Sequence, residues 1–257
     1  VDAGAVAAAP ATNTGLITVT TDRSDIKINP EGGDIVYAAL KQYDATLHSE
    51  KPFVLWENNS GRVYVAQSGL IGPNGIDTAE GRAKYSHAAN NYVMEKGQQT
   101  LSVPLTYQKD GVTVTKTFTF TQDKYPIDIS YQIQNASANP WQGQMFAQLK
   151  RDDSKDPGMS DKGALSMATY SGGAWGTPED PYNKLKFGKF NDGELTTTSD
   201  EGWVGIVQHY FVSAWTPENF TGKFFSRETG NDYFIGFNSQ PVNVAPNKQI
   251  TLNATLY

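Results

Sequence analysis

Between Val112 and Thr121 every second residue is a threonine: Thr113, Thr115, Thr117, Thr119 and Thr121 alternate with Val112, Val114, Lys116, Phe118 and Phe120. Successive side chains of an extended strand point to opposite faces, so this order puts the apolar residues on one face and the threonines on the other. The segment therefore reads as a strand with one buried side and one solvated or half-covered side. The same period of two recurs at 16–20, 25–29, 34–40, 53–57 and 62–67. It returns at 100–107, 127–134, 141–150, 203–208, 233–238, 241–245 and 249–257.

Turn chemistry separates these segments. Asp110-Gly111 closes a tight hairpin between 100–107 and 112–121, and Asn29-Pro30-Glu31-Gly32-Gly33 supplies a fixed φ followed by glycines that accept positive φ. Strands at this spacing along 257 residues predict an all-β fold, a large antiparallel sandwich with few short helices. The 13 Tyr, 12 Phe and 5 Trp agree with it, because aromatic residues favour strands and no long Ala-Glu-Lys-Leu block competes. Residues 1–15, rich in Ala with Thr, Asn and Pro, read as a linker, and 16–257 as one domain. The linker lacks the basic region and apolar stretch of an intact signal peptide, and no run in the chain approaches the ~20 apolar residues of a membrane span.

Several function classes lose their warrants. A net charge of −6 repels a phosphate backbone, so nucleic acid is not an expected partner. The basic clusters Lys150-Arg151 and Lys184 with Lys186 read as solvated surface. Without cysteine there is no disulfide, thiolate metal site or cysteine nucleophile. His48, His87 and His209 lie far apart without metal-ligand spacing, and His209, in an apolar run, reads as a half-buried, hydrogen-bonded side chain. Asp152, Ser154 and Asp156 have the opening spacing of a calcium loop, but Pro157 stands where glycine is required and Gly163 where a bidentate glutamate belongs. No nucleophile elbow or phosphate-binding glycine loop is present. Spacing leaves open whether Glu57, Asp77, Glu80, Asp128, Glu179 and Asp180 meet in space as paired carboxylates. No catalytic centre, metal or cofactor is expected.

The stretch 152–200 differs from the rest: it is rich in Gly, Pro, Asp and Lys, weakly periodic, and carries Tyr170, Trp175, Tyr182, Phe187 and Phe190. Long irregular connections usually bind something or pack as compact loops. Tyr170, Trp175, Tyr182 and Phe187 are accordingly the candidate partner-binding residues, and capping one end of the core is the alternative role for these aromatics.

Several segments together carry a family resemblance. They are 24–29 leading into Gly32-Gly33-Asp34-Ile35; Gln67-Ser68-Gly69-Leu70; Thr115-Lys116-Thr117-Phe118; 202–205 with 210–215; and Phe237-Asn238-Ser239-Gln240-Pro241-Val242. Through them the chain, from about residue 16 to 257, resembles the first, large periplasmic domain of YidC-type bacterial membrane insertases. The resemblance implies a twisted β-supersandwich related to the galactose-mutarotase fold, in the periplasm, tethered after a first transmembrane helix and followed by a helical insertase core. It implies assistance in integrating inner-membrane proteins, alone or beside the Sec translocon, with the accessory subunits SecD and SecF as partners and membrane-protein substrates met through the full-length insertase. The insertase groove itself is not in this sequence, so the domain is expected to act without catalysis, as a docking or spacing module. The mutarotase pair of histidines has no match at His48, His87 or His209. The rival readings are a carbohydrate- or peptide-binding module, with Trp56, Trp141 or Trp175 stacking on its ligand, and a mutarotase-like enzyme.

Overall fold

The computed structural model of the chain describes residues 15–46, 49–156, 170–193, 195–208 and 210–257. All but Gly15 of the expected linker, together with His48 and His209, lies outside them. Among the described residues the only helical element is one 3₁₀ turn, Phe187–Lys189, and the rest of the regular structure is strand.

The first five strands, β1 (Ile17–Thr20), β2 (Ser24–Asn29), β3 (Asp34–Asp44), β4 (Pro52–Asn59) and β5 (Arg62–Ile71), form an antiparallel meander. Two short strands follow, β6 (Ser86–His87) and β7 (Asn91–Val93), and then the threonine-rich hairpin of β8 (Thr100–Lys109) and β9 (Val112–Thr121). Lys109 pairs with Val112, and Asp110 and Gly111 both have positive φ, 50° and 79°, the geometry that lets a two-residue turn match the twist of its strands. β10 (Ile127–Asn135) and β11 (Trp141–Arg151) complete the first half. The second half contains β12 (Gly172–Gly176), β13 (Asn183–Leu185), β14 (Thr198–Ser199), β15 (Trp203–Val207) and β16 (Val212–Glu218). It ends with β17 (Gly222–Thr229), β18 (Asp232–Ser239), β19 (Val242–Val244) and β20 (Lys248–Leu256).

These strands make two sheets. One is 11-stranded, in the order β14-β17-β18-β11-β5-β4-β3-β2-β1-β7 with β19 attached to β11; the other is 9-stranded, in the order β13-β12-β15-β16-β20-β10-β9-β8-β6. Pairing is antiparallel except between β1 and β7, which run parallel. β7 reaches β1 through a crossover rather than a tight turn, which releases it from the direction reversal a hairpin imposes. The inner faces of the two sheets enclose one apolar cluster that draws residues from Ile17 to Leu256. A register row shows how: Leu101, Phe120, Ile127, Leu256, Trp215 and Val204 lie side by side across the 9-stranded sheet, all buried.

The expected threonine face is the outer face of that sheet, where Thr113, Thr115, Thr117, Thr119 and Thr121 are partly exposed. The glycine-rich β12 carries no sequence periodicity and owes its place to its neighbours. A Cβ at Gly173 would stand 2.8 Å from the Ile235 side chain and 2.9 Å from Phe190, so only glycine lets this strand approach the core.

Candidate functional site

Lys116 occupies the apolar face of β9, in the register row Leu105, Lys116, Tyr131 and Leu252, and is 0% exposed. Its ammonium crosses the core to the opposite sheet. There Nζ donates to the carbonyls of Gly32 at 3.1 Å, Gly33 at 2.7 Å and Ser68 at 3.1 Å, which uses all three protons of the ammonium. The left-handed turn at Gly32 and Gly33 (φ 82° and 62°) aims its carbonyls inward, and a Cβ at Gly33 would fall 2.9 Å from Nζ. Removal from water holds the Lys116 amine down at about 7, against the pull of Asp34.

Arg82 enters the same cluster from the loop after β5. Its Nη2 donates to Asp34 Oδ1 at 2.6 Å, to the Ser68 carbonyl at 2.9 Å and to the Gly32 carbonyl at 3.1 Å, and its Nε lies 3.2 Å from Asp77 Oδ1. Two cations thus share two carbonyls, Gly32 and Ser68. Asp77 accepts from the backbone N–H of Leu70 and of Ala83, and Gly69 leaves room for it, since a Cβ there would stand 2.2 Å from Asp77 Oδ2. Asp34 Oδ2 accepts from Gln67 Nε2 at 2.7 Å, and Gln67 Oε1 accepts from Gln148 Nε2 at 2.9 Å. Burial pushes the Asp34 carboxyl upward, opposed by Arg82 and Lys116, and the facing carboxylates raise Arg82. Such a group of charges is tolerated inside a protein because both carboxylates pair with Arg82 and the Lys116 ammonium is satisfied by three carbonyls.

The network rises to the outer face of the 11-stranded sheet, where Asp34, Gln67 and Arg82 line a cavity of about 260 Å³ with Val36, Val65 and Lys150. A second cavity of about 490 Å³ lies on the same sheet, lined by Gln144, Thr198, Thr221, Lys223, Asn238 and Ser239. Among the described residues no histidine and no tryptophan lines either one. Trp56 and Trp141, expected as stacking platforms, are core residues with 3% exposure each, and the Trp56 indole donates to Ser213 Oγ. His87 is partly exposed on β6, with Nδ1 3.1 Å from the Ala89 carbonyl.

A second buried charge cluster sits where β11 runs into the stretch after Arg151. Asp156 Oδ1 accepts from Arg151 Nη1 at 3.0 Å and from Gln208 Nε2 at 2.7 Å, and Arg62 Nη2 stands 3.9 Å away; Arg62 also bonds Glu57 at 3.1 Å. Asp152 accepts from the N–H of Val63 and of Ser154. Asp152 and Asp156, the first and fifth positions of the calcium-like spacing, are therefore engaged by arginine, glutamine and backbone donors. Pro157 and Gly163 lie outside the described residues. Of the six carboxylates that could have met, Glu57 is committed to Arg62, Asp77 to Arg82 and Asp128 to the Thr255 hydroxyl.

The predicted partner-binding aromatics gather at the β13 end of the 9-stranded sheet with unequal exposure. Tyr182 is 50% exposed and stacks on Trp203 with ring centroids 6.1 Å apart. Tyr170 is half-buried, its hydroxyl donating to the Gly173 carbonyl at 2.5 Å, and the Lys184 ammonium lies 4.9 Å from the Tyr170 ring and 5.8 Å from that of Tyr182. Trp175 and Phe187 are half-buried and pack against the core, Phe187 between Phe190, Tyr233 and the Arg151 guanidinium.

Residues 16–257 match the family model of the YidC periplasmic domain. The chain belongs to that family. A relative named membrane protein insertase YidC from Aliivibrio salmonicida is 41% identical over 245 residues, covering 94% of this chain and 44% of the relative. Relatives of the same name from Shewanella baltica (strain OS155 / ATCC BAA-1091) and Pseudomonas fluorescens are each 42% identical. They cover 100% and 96% of this chain, and 47% and 44% of their own length. The chain thus spans a little under half the length of the curated relatives it matches.

Among solved structures, a galactose mutarotase related enzyme from Lactobacillus acidophilus superposes with a TM-score of 0.56 at 9% identity, covering 94% of this chain and 96% of that one. A galactose mutarotase-like protein from Lactobacillus casei gives 0.55, also at 9%, covering 94% and 99%. These likenesses show the fold, the expected supersandwich. Three of the segments that carry the YidC resemblance, Gly32-Gly33-Asp34, Gln67-Ser68-Gly69 and Thr115-Lys116-Thr117, converge on the one buried network described above. Sequence reading placed Lys116 on the apolar face of its strand without assigning it a partner, and missed Arg82, which comes from an aperiodic loop. A lysine inside an otherwise apolar row was the available signal.

Proposed function

We propose that this domain acts without catalysis, as a periplasmic docking or spacing module of a bacterial inner-membrane insertase that meets the Sec accessory subunits SecD and SecF. On this reading its substrates, membrane proteins under integration, are met by the full-length insertase rather than by the domain alone. The observation that carries the docking role is Tyr182, half exposed and stacked on Trp203 at the end of a sheet, with Tyr170 and Lys184 beside it. A rigid aromatic ring at the start of a strand buries much area at little entropic cost, which is what an interface anchor needs. The buried charge clusters support the same reading, because each oxygen of Asp34 and of Asp77 already accepts a hydrogen bond within the protein.

The test uses the full-length insertase in detergent extract and measures capture of SecD and SecF. Replacing the half-exposed tyrosine (Tyr182→Ala) should sharply reduce capture while the thermal midpoint of the domain moves little. Undiminished capture would remove the site; no capture by the unaltered protein would remove the partner assignment.

A further inference from the structure

The β13 strand ends the 9-stranded sheet, and among the described residues nothing pairs with its far side. The extended backbone runs one residue past the strand, since Lys186 has φ −66° and ψ 144°. From Tyr182 to Lys189 there are three lysines and no acid, in a chain whose net charge is −6. Lys184 and Lys186 are both exposed, and their spacing of two puts them on one face of the edge. The Lys184 ammonium is held over the rings of Tyr170 and Tyr182. The other terminal strands lack this combination: β14 and β6 are two residues long, and β7 carries no lysine.

Lysines on an edge strand are a common guard against indiscriminate pairing. They repel neutral and basic strands by demanding that an ammonium be desolvated or opposed, yet they favour a strand that brings carboxylates at alternate positions. Main-chain bonds along an exposed edge supply affinity, and side-chain spacing supplies selectivity. We propose that β13 is a docking edge onto which an extended acidic segment of a partner protein adds as a further strand, with acids at every second position facing Lys184 and Lys186 and with Tyr182 flanking it. The inference rests on the docking role proposed above and specifies its mode.

The probe is a labelled peptide of alternating glutamate and threonine, titrated into this chain at low salt, with a lysine-threonine peptide as the control. Binding should be confined to the acidic peptide, weaken with added salt and slow amide hydrogen exchange at 183–186. The Lys184→Glu, Lys186→Glu pair should weaken it by about tenfold or more. These side chains are exposed, so an unchanged thermal midpoint shows that the variant still folds. Equal binding of the two peptides, unaltered affinity in the charge-reversed variant, or binding that leaves exchange at 183–186 unchanged would each overturn the proposal. The same lysine pair is then reversed in the full-length insertase. Capture of SecD and SecF that survives this but is lost in the tyrosine variant leaves the docking role standing and refutes the strand-addition mode. If the unaltered insertase captures neither subunit, the partner assignment falls and the peptide result alone decides the edge.

Discussion

The two buried charge clusters have the same count of charges and opposite temperaments. Lys116 and Arg82 face Asp34 and Asp77 at the centre of the sandwich; Arg62 and Arg151 face Asp156 and Glu57 where the chain leaves β11. In the first, a lysine is fully enclosed and its amine is held at about 7. In the second both cations are arginines, which stay charged at any pH a protein survives. The first cluster therefore holds a cation that gives up its charge near neutral pH, and the second holds none. The type of cation, more than the number of ion pairs, decides whether a buried network sheds positive charge as pH rises.

The largest expected effect comes from cutting the first cluster at its most enclosed anion. Asp77→Ala strands the Arg82 Nε and the N–H groups of Leu70 and Ala83, and should lower unfolding free energy by about 3–5 kcal/mol in urea titrations. A loss no larger than a surface substitution's would show that the cluster contributes nothing as a unit. Next in size is the pH response. Because the Lys116 amine is depressed in the folded state, the unfolded chain binds more protons between about pH 7 and its ordinary value of 10.5. Its penalty on folding, roughly a few kcal/mol, is therefore present below pH 7 and relieved as pH rises through that window. Tyr85 and Tyr131, both raised by burial, act only above pH 10 and in the opposite direction. Stability of the unaltered protein relative to Lys116→Met should climb from pH 7 to 10, whereas relative to Arg151→Met it should stay level; parallel curves would erase the contrast. The smallest effect belongs to the exposed edge. Lys184→Glu with Lys186→Glu should shift stability by no more than about 0.5 kcal/mol, separating the surface lysines from the buried one.

Much of this architecture was legible beforehand because strand periodicity is local. Residues 112–121 announce their two faces within ten positions, and Asp110-Gly111 announces the hairpin that precedes them. β12 and β13 gave no such signal: Gly172, Gly173 and Gly176 of β12 have no side chains to alternate, and that strand fits where Ile235, Phe190 and Trp203 leave room only for bare backbone, while the three residues of β13 are too few to show a period. The exposure of the candidate aromatics was not legible. Tyr182 is half exposed while Phe187 turns inward against Tyr233, and nothing in the spacing of those aromatics distinguishes the two.

The order of residues by itself determined that this chain makes sheets, where most of its strands run, which face of each is apolar, and, through a handful of short segments, which family it belongs to. Folding alone decided that Gly32, Gly33 and Ser68 would surround the amine of Lys116, 48 to 84 positions away in the chain, and that Arg82 and Asp77 would complete the enclosure. The reason is one of range. Alternation is read between neighbours, but a buried charge is tolerated only where distant backbone carbonyls happen to converge, and that convergence exists only once the two sheets are packed.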